Sequence, residues 1–391
     1  MNGRTRIVLL VSSSVLLALI ALAALLGQSY ESDGIYNKLD VFVEVMRHIR
    51  SDYVEPVASR DIFDGALRGM AATLDIESSY LTAEEYLRYR EELPRRSATT
   101  GIEIRKHPGS GYAEVLFIRP GSPAAGSGVR AGDFIRAVDG TSTRDLPILM
   151  IGLVMAGEPE SVASLSIIRT GVRGTLTFEV ARAELAPAQV THEALDGVGY
   201  ISLPSFRLGV LESVQSACGE FRGAGIEVLI IDLRGNVDGD IEEAVHVADL
   251  FVADGELLTL RTKGRDTDYT AGEFAMPFNI FLLCDESTAR AAEGFAVALA
   301  DRGIATIIGR TTAGLATVQR RIELEDGALL NISHAKIIGP GGTDYHGTGV
   351  EPSVEVPTST SEDGEDLILR TALERARHHA TRQRDSAAVG G

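Results

Sequence analysis

The chain has 391 residues, with 37 Lys+Arg against 55 Asp+Glu, a formal net charge of −18. At roughly 150 residues per domain this length predicts two or three domains, each large enough to bury a core. Hydrophobic residues at 45% and charged residues at 24% exclude a largely disordered chain, and the acidity excludes a phosphate-tracking nucleic-acid binder, which needs a basic surplus to release counterions. Two cysteines, Cys218 and Cys284, are too few for a disulfide scaffold. With no HExxH or CxxC spacing in the sequence, neither a metal nor another cofactor is expected.

Arg4 and Arg6 precede Ile7–Leu26, a run without charge that Ser12, Ser13 and Ser14 alone interrupt. A helix of that length crosses a hydrocarbon core of roughly 30 Å. The basic flank before it, with Glu31 and Asp33 after it, puts the N-terminus in the cytoplasm and the main body outside it. A cleaved signal peptide is the competing reading, but its apolar region is about 7–15 residues long with a small-residue cleavage site. Here the run is longer and ends Leu25-Leu26-Gly27-Gln28, so an uncleaved single-pass anchor in the inner membrane is preferred. Either way the body is periplasmic, where pairing of Cys218 with Cys284 is permitted but not implied.

Apolar residues then recur at helical spacing through Ile35–Leu93: Leu39, Phe42, Val43, Met46 and Ile49, a break at Pro56, and Ile62, Ala66, Met70 and Leu74 after it. Pro94–Ser97 reads as a linker. From Gly101 the period becomes two, with Ile102 and Ile104, then Ala113, Val115 and Phe117, as strand alternations. A helix is predicted near Ile148–Met155 and strands near Ser164–Arg169 and Thr175–Ala181.

Within this stretch Ser122-Pro123-Ala124-Ala125-Gly126-Ser127-Gly128-Val129-Arg130-Ala131-Gly132-Asp133-Phe134-Ile135, followed by Val138-Asp139-Gly140, resembles a PDZ domain. The resemblance implies capture of a peptide C-terminus as an added strand, its carboxylate held by turned backbone N–H groups. Thr99, Thr100, Gly101 and Ile102 match the turn, and Ile102, Glu103 and Ile104 the strand edge. The alternative is a module that packs on its neighbour and binds nothing.

Beyond Pro187, short apolar runs at Gly199–Ser202, Val228–Leu233, Asn279–Leu283 and Thr306–Ile308 alternate with helical segments Val210–Arg222, Ile241–Phe251 and Ala291–Arg302. Such alternation predicts a mostly parallel sheet with covered faces. Leu367–Arg382 reads as a last helix, and Asp385–Gly391 as a frayed tail.

Gly199-Tyr200-Ile201, Asp232-Leu233-Arg234-Gly235-Asn236, Gly309-Arg310-Thr311-Thr312-Ala313-Gly314 and His346-Gly347-Thr348-Gly349-Val350-Glu351-Pro352 are similar to segments of the C-terminal processing peptidases, or tail-specific proteases. Asp75-Ile76-Glu77-Ser78-Ser79-Tyr80-Leu81 resembles the Ser-rich turn that precedes the PDZ module there. The resemblance spans about 35–357 in the family's domain order. Together with the segments read above, it gives the expectation of a multi-domain α/β protein: membrane helix or signal peptide at 1–30, small helical region at 31–97, PDZ domain (α+β) at 98–184, α/β tail-specific protease core at 185–357, and C-terminal helix and tail at 358–391.

The family resemblance also implies a serine nucleophile with a lysine base, the serine in a Thr-Ala-Ser-Ala-(Ala/Ser)-Glu run. Here that run reads Thr288-Ala289-Arg290-Ala291-Ala292-Glu293, so Arg290 stands at the nucleophile. Leu315 stands at the lysine, with the family's following glutamine kept as Gln319. A guanidinium is neither nucleophile nor base near neutral pH, and Leu315 carries no proton. Where the family has Asn-Pro-Gly-Gly, the chain has Asn236-Val237-Asp238-Gly239, and a carboxylate at Asp238 would oppose a developing oxyanion.

Ser287 is the candidate for a displaced nucleophile, against the plainer role of helix capping or turn formation. Lys263 and Lys336 match lysines outside the family's catalytic pair, and His192, His246, His334 and His346 are spaced for neither metal nor triad. A cation at a helix N-terminus calls for a carboxylate partner, with Asp238, Glu286 and Glu293 as candidates for Arg290. Two uses of that pairing stand open: a plug in a defunct site, or a cation that binds the carboxylate of a protein tail. The expectation is a membrane-anchored pseudopeptidase that binds protein C-terminal tails, unfolded polypeptides or a partner, as a homo-oligomer or beside an active relative. The enzyme alternative is a serine endopeptidase that cleaves tails with Ser287. A third reading is a structural subunit with an empty PDZ groove.

Overall fold

The computed structural model describes residues 35–357 and 364–389. The expected membrane helix at Ile7–Leu26 lies outside the described residues. Among those described, no helix is long and apolar enough to cross a membrane.

The chain divides into two compact units, one ending at Leu67 and one beginning at Arg68. The described part of the first holds α1 (Ile35–Asp52) and the start of α2 (Ser59–Ala72). The rings of Phe42 and Phe63 meet with centroids 5.6 Å apart.

The second unit begins with β1 (Ser79–Leu81) and α3 (Ala83–Glu92). A capping box starts α3: Thr82 accepts from the N–H of Glu85, whose carboxylate accepts from the N–H of Thr82. The helical expectation for 35–93 fails at β1, which pairs antiparallel with Leu329–Asn331. Tyr80 and Leu81 are buried there, so tertiary packing overrides a local pattern that read as a turn. A 3₁₀ turn, Leu93–Arg95, fills part of the expected linker.

The PDZ-like module follows as β2 (Ile102–Lys106), β3 (Ala113–Ile118), β4 (Phe134–Val138), β5 (Thr141–Ser142), α4 (Ile148–Met155), β6 (Val162–Ile168) and β7 (Leu176–Ala181). Its sheet has the order β2-β3-β4-β6-β7, with β5 on β4. Alternate residues of β6 face inward, Ala163, Leu165 and Ile167, onto Ile135, Val138 and Ile151. Buried Arg182 closes the module: it donates to the carbonyls of Val154 at 3.1 Å and Met155 at 3.0 Å, and pairs with Asp139 at 2.6 Å. A cation at that helix end satisfies carbonyls left without helical partners.

The core consists of β8 (Thr191–Leu195), β9 (Val198–Ser202), α5 (Val210–Gly223), β10 (Val228–Asp232), α6 (Ile241–Asp249), β11 (Glu256–Arg261), β12 (Asp266–Thr270), β13 (Asn279–Cys284), α7 (Ala291–Ala300), β14 (Ala305–Gly309), β15 (Thr317–Glu323), β16 (Leu329–Ile338), β17 (Val354–Glu355) and α8 (Leu367–Val389). The main sheet runs β17-β14-β13-β10-β9-β8, parallel except for β8 at one edge. All of β10 is buried, as a parallel strand covered on both faces must be. One face packs Leu229, Ile231, Ile280 and Leu282 with Phe221, Val247 and Phe295 of the helices. The other packs Val228, Ile230, Phe281 and Leu283 with Ile368, Ala372 and Ala376 of α8. A second, antiparallel sheet of order β1-β16-β11-β12, with β15 on β16, has no counterpart in the expectation.

Cys218 and Cys284 are both buried and unpaired. The tail expected to fray from Asp385 continues α8 to Val389, as the helix-favouring Ala387 and Ala388 allow.

Gly309 ends β14 at φ +131°, and a Cβ there would lie 2.1 Å from the carbonyl oxygen of Cys284. A Gly309→Ala variant is expected to lose about 3 kcal/mol or more of unfolding free energy. Urea denaturation should show this as a lower midpoint at unchanged slope.

Candidate functional site

The turn from β13 into α7 forms a tight elbow with Arg290 at its tip. Arg290 adopts φ +54°, a conformation that costs a side-chain-bearing residue about 1–3 kcal/mol and is kept only where surroundings enforce it. The enforcing group is Glu293, 1% exposed. Its carboxylate accepts from the Arg290 N–H at 3.1 Å, the Gly314 N–H at 2.7 Å, the Leu315 N–H at 2.8 Å and the Thr312 hydroxyl. Burial pushes the Glu293 carboxyl up to about 7, while these donors pull the other way. Through Glu293 the elbow and the 312–315 loop are tied together, so the two positions that the sequence register pairs share one neighbourhood.

The Arg290 guanidinium donates to the carbonyl of Val237 at 2.9 Å and forms an ion pair with Glu77. Glu77, 7% exposed, also accepts from the Thr317 hydroxyl at 3.0 Å and the Gln319 amide at 3.3 Å. Asn331 braces this arrangement by donating to the Glu77 backbone carbonyl at 3.0 Å and the Gln319 side-chain oxygen at 3.1 Å. None of the three expected carboxylates takes the guanidinium. Glu293 meets the backbone of Arg290, Asp238 pairs with Arg207 at 2.5 Å, and Glu286 pairs with Arg310.

Asp238 also departs from expectation in its direction. Its side chain is exposed beside Arg207, so its charge is drawn outward and screened rather than set among oxyanion donors. Gly239, at φ +142°, lies so close to Phe206 that a Cβ would fall 2.5 Å from the Phe206 nitrogen. Arg207, Asp238, Arg290 and Gln319 line a cleft of about 860 Å³.

Leu315 is 2% exposed and packs with Leu116 of β3, Val237 and Ala289. Ser287 is buried too: its hydroxyl donates to Asp285 and accepts from the Gly235 N–H at 2.7 Å. Neither lysine meets it, since Lys336 pairs with Asp344 at 2.6 Å and Lys263 is exposed. Burial raises the Asp285 carboxyl, and the pair reads as a turn lock between β13 and the 235 loop.

In the PDZ-like module β2 is the edge strand of its sheet. Thr100, Gly101 and Ile102 are buried, Ile104 is half-buried and Glu103 is exposed. The N–H of Gly101 points to the Thr99 hydroxyl at 3.3 Å and that of Ile102 to the Thr100 hydroxyl at 3.4 Å. These long contacts hold the loop's amides on its own side chains. Gly101 needs its φ of +81° and the lack of a Cβ, which would fall 2.2 Å from that of Ser122.

Residues 197–356 match peptidase family S41 and residues 114–169 match the PDZ domain. Carboxy-terminal processing protease CtpA of Bacillus subtilis (strain 168) is 28% identical over 352 residues, covering 88% of this chain and 74% of that protein. The chain carries a peptidase S41 domain and a PDZ domain. The carboxyl-terminal-processing protease of Synechocystis sp. is 29% identical over 320 residues, covering 79% of this chain and 75% of that protein. The photosystem II D1 C-terminal processing protease superposes with a TM-score of 0.68 at 25% identity, covering 81% of this chain and 92% of that one.

The S41 match gives the elbow its meaning, because Arg290 and Leu315 stand where the family resemblance puts a serine and a lysine. Sequence reasoning missed Glu77 and Thr317. The need of Arg290 for a carboxylate was a signal, but its partner lies 213 residues away in a run read only as a turn.

Proposed function

We propose that this chain has given up peptide hydrolysis and retains the capture of protein chain ends, through its PDZ module, in the periplasm on an anchor at Ile7–Leu26. The observation that carries this reading is the elbow: a guanidinium closed on Glu77 and Val237, beside a leucine sealed among apolar side chains. Acyl transfer needs a hydroxyl next to a base that takes its proton. Loss of that pair costs about 10⁴–10⁶ in rate. Ser287 offers no replacement, since its hydroxyl is spent on Asp285 and the Gly235 amide. The relatives named as carboxy-terminal processing proteases favour chain ends as the ligand class, and the edge position of β2 in its sheet suits strand addition. An active relative or a second copy is the expected associate.

The test is a fluorescent peptide with an apolar, free C-terminus mixed with the chain from Glu31 onward. We expect binding that weakens at least about tenfold when the terminus is amidated, as loss of a charge-assisted contact predicts, and no cleavage. Cleavage that disappears in Ser287→Ala would install the enzyme reading instead.

A further inference from the structure

The Glu77 carboxylate is gripped as a ligand is gripped. Three donors from different parts of the core converge on it: the Arg290 guanidinium at the start of α7, and the Thr317 hydroxyl and Gln319 amide on β15. The Val237 carbonyl at 2.9 Å holds the guanidinium in place, and Ser333 takes a further Gln319 hydrogen bond at 2.8 Å. A cation with two neutral donors is the usual composition of a carboxylate receptor. Glu77 itself belongs to none of these elements, coming from the short segment ahead of β1. The site also opens to solvent, on a cleft whose lip carries Leu208 at 98% exposure together with Arg207 and Leu149.

We propose that Arg290, Thr317 and Gln319 form a carboxylate-binding site of which Glu77 is the internal occupant, and that the terminal carboxylate of an extended peptide competes with Glu77 for it. The second clause rests on the tail-binding reading above; the first does not. Leu208 and Leu149 beside an inner cation fit a chain end with aliphatic last residues, the carboxylate reaching Arg290 and the side chains meeting the two leucines, with the Asp238 charge taken up by Arg207. Because an internal carboxylate has a very high effective concentration, the wild-type site is nearly always closed to a competitor.

The test uses the chain from Glu31 onward with Glu77→Ala, which removes the occupant and keeps the backbone carbonyl that Asn331 holds. Propionate should raise the thermal midpoint of Glu77→Ala, while propionamide should not. The wild type and a Glu77→Ala/Arg290→Ala double variant should respond to neither. Equal responses to the two compounds, or a propionate response that persists in the double variant, would overturn the site. Glu77→Ala should also bind the free-ended peptide at least about tenfold more tightly than wild type, with the gain lost on amidation or on adding Arg290→Ala. A propionate response without that gain overturns a chain end as the competing ligand. Glu77→Gln keeps the side-chain volume and serves if the alanine variant does not fold. It should show the same preference for a free end at a smaller gain. Cleavage of the peptide would sink the tail-capture reading while leaving the propionate result intact, so the two failures are separable.

Discussion

A chain carrying both Arg290→Ser and Leu315→Lys is expected to cleave peptides with apolar C-termini, at a rate at least about 10²-fold above either single variant. Serine at 290 would take the strained elbow conformation at the N-terminus of α7. Lysine at 315 would enter the cluster of Leu116, Val237 and Ala289, where desolvation lowers an ammonium pKa and makes the neutral amine available as a base. Arg290→Ser alone has a hydroxyl and no base. Leu315→Lys alone has a base beside a guanidinium and nothing to deprotonate. The gain therefore belongs to the pair, and turnover of an end-labelled peptide by the four proteins measures it. A folded double variant as silent as the singles would show that the elbow and the 312–315 loop no longer hold catalytic geometry.

Stability of the wild-type body should fall as pH rises from about 4.5 to about 7, by about 3 kcal/mol from this one group. The cause is Glu293, whose carboxyl burial pushes up to about 7 from its ordinary value of 4.5. In that window the folded chain keeps a proton that the unfolded chain has lost. The contribution is thus complete below the unfolded value and gone above the folded one. Asp139 and Asp366, both held below the usual range, act in the opposite sense and at lower pH. Glu293→Gln should remove this group's share of the slope, leaving that of Asp285 and Glu103, whose carboxyls burial also raises. It should also lower the overall stability, because its amide sets a donor against donors among the Arg290, Gly314 and Leu315 N–H groups. Urea midpoints across pH for the two proteins check both effects.

The parallel sheet was legible because its strands are continuous apolar runs. Val228–Asp232 and Asn279–Cys284 are buried almost throughout, and such runs separated by helical stretches have few other folds. The antiparallel sheet was not. Asp266–Thr270 and Thr317–Glu323 are charged and half exposed, Ser79–Leu81 is too short to carry a period, and their pairing depends on long loop closures that no local pattern encodes. At the site, the replacements at 290 and 315 could be read from register alone. The guanidinium's true partner, the outward turn of Asp238 and the self-bonded amides of Gly101 and Ile102 could not, because each is decided by which group arrives in three dimensions.

The position of α8 bears on how the chain matures. One face of the main sheet, with Ile230, Phe281 and Leu283, is closed by Ile368, Ala372 and Ala376, which lie in α8, Leu367–Val389. During synthesis, the strands of that sheet are complete before the segment that covers them exists. A nascent chain stopped short of residue 364 would present this apolar face to solvent, a surface prone to aggregation or capture by chaperones. The core is therefore complete only once residues 367–376 have been made, and loss of α8 would remove part of the hydrophobic interior.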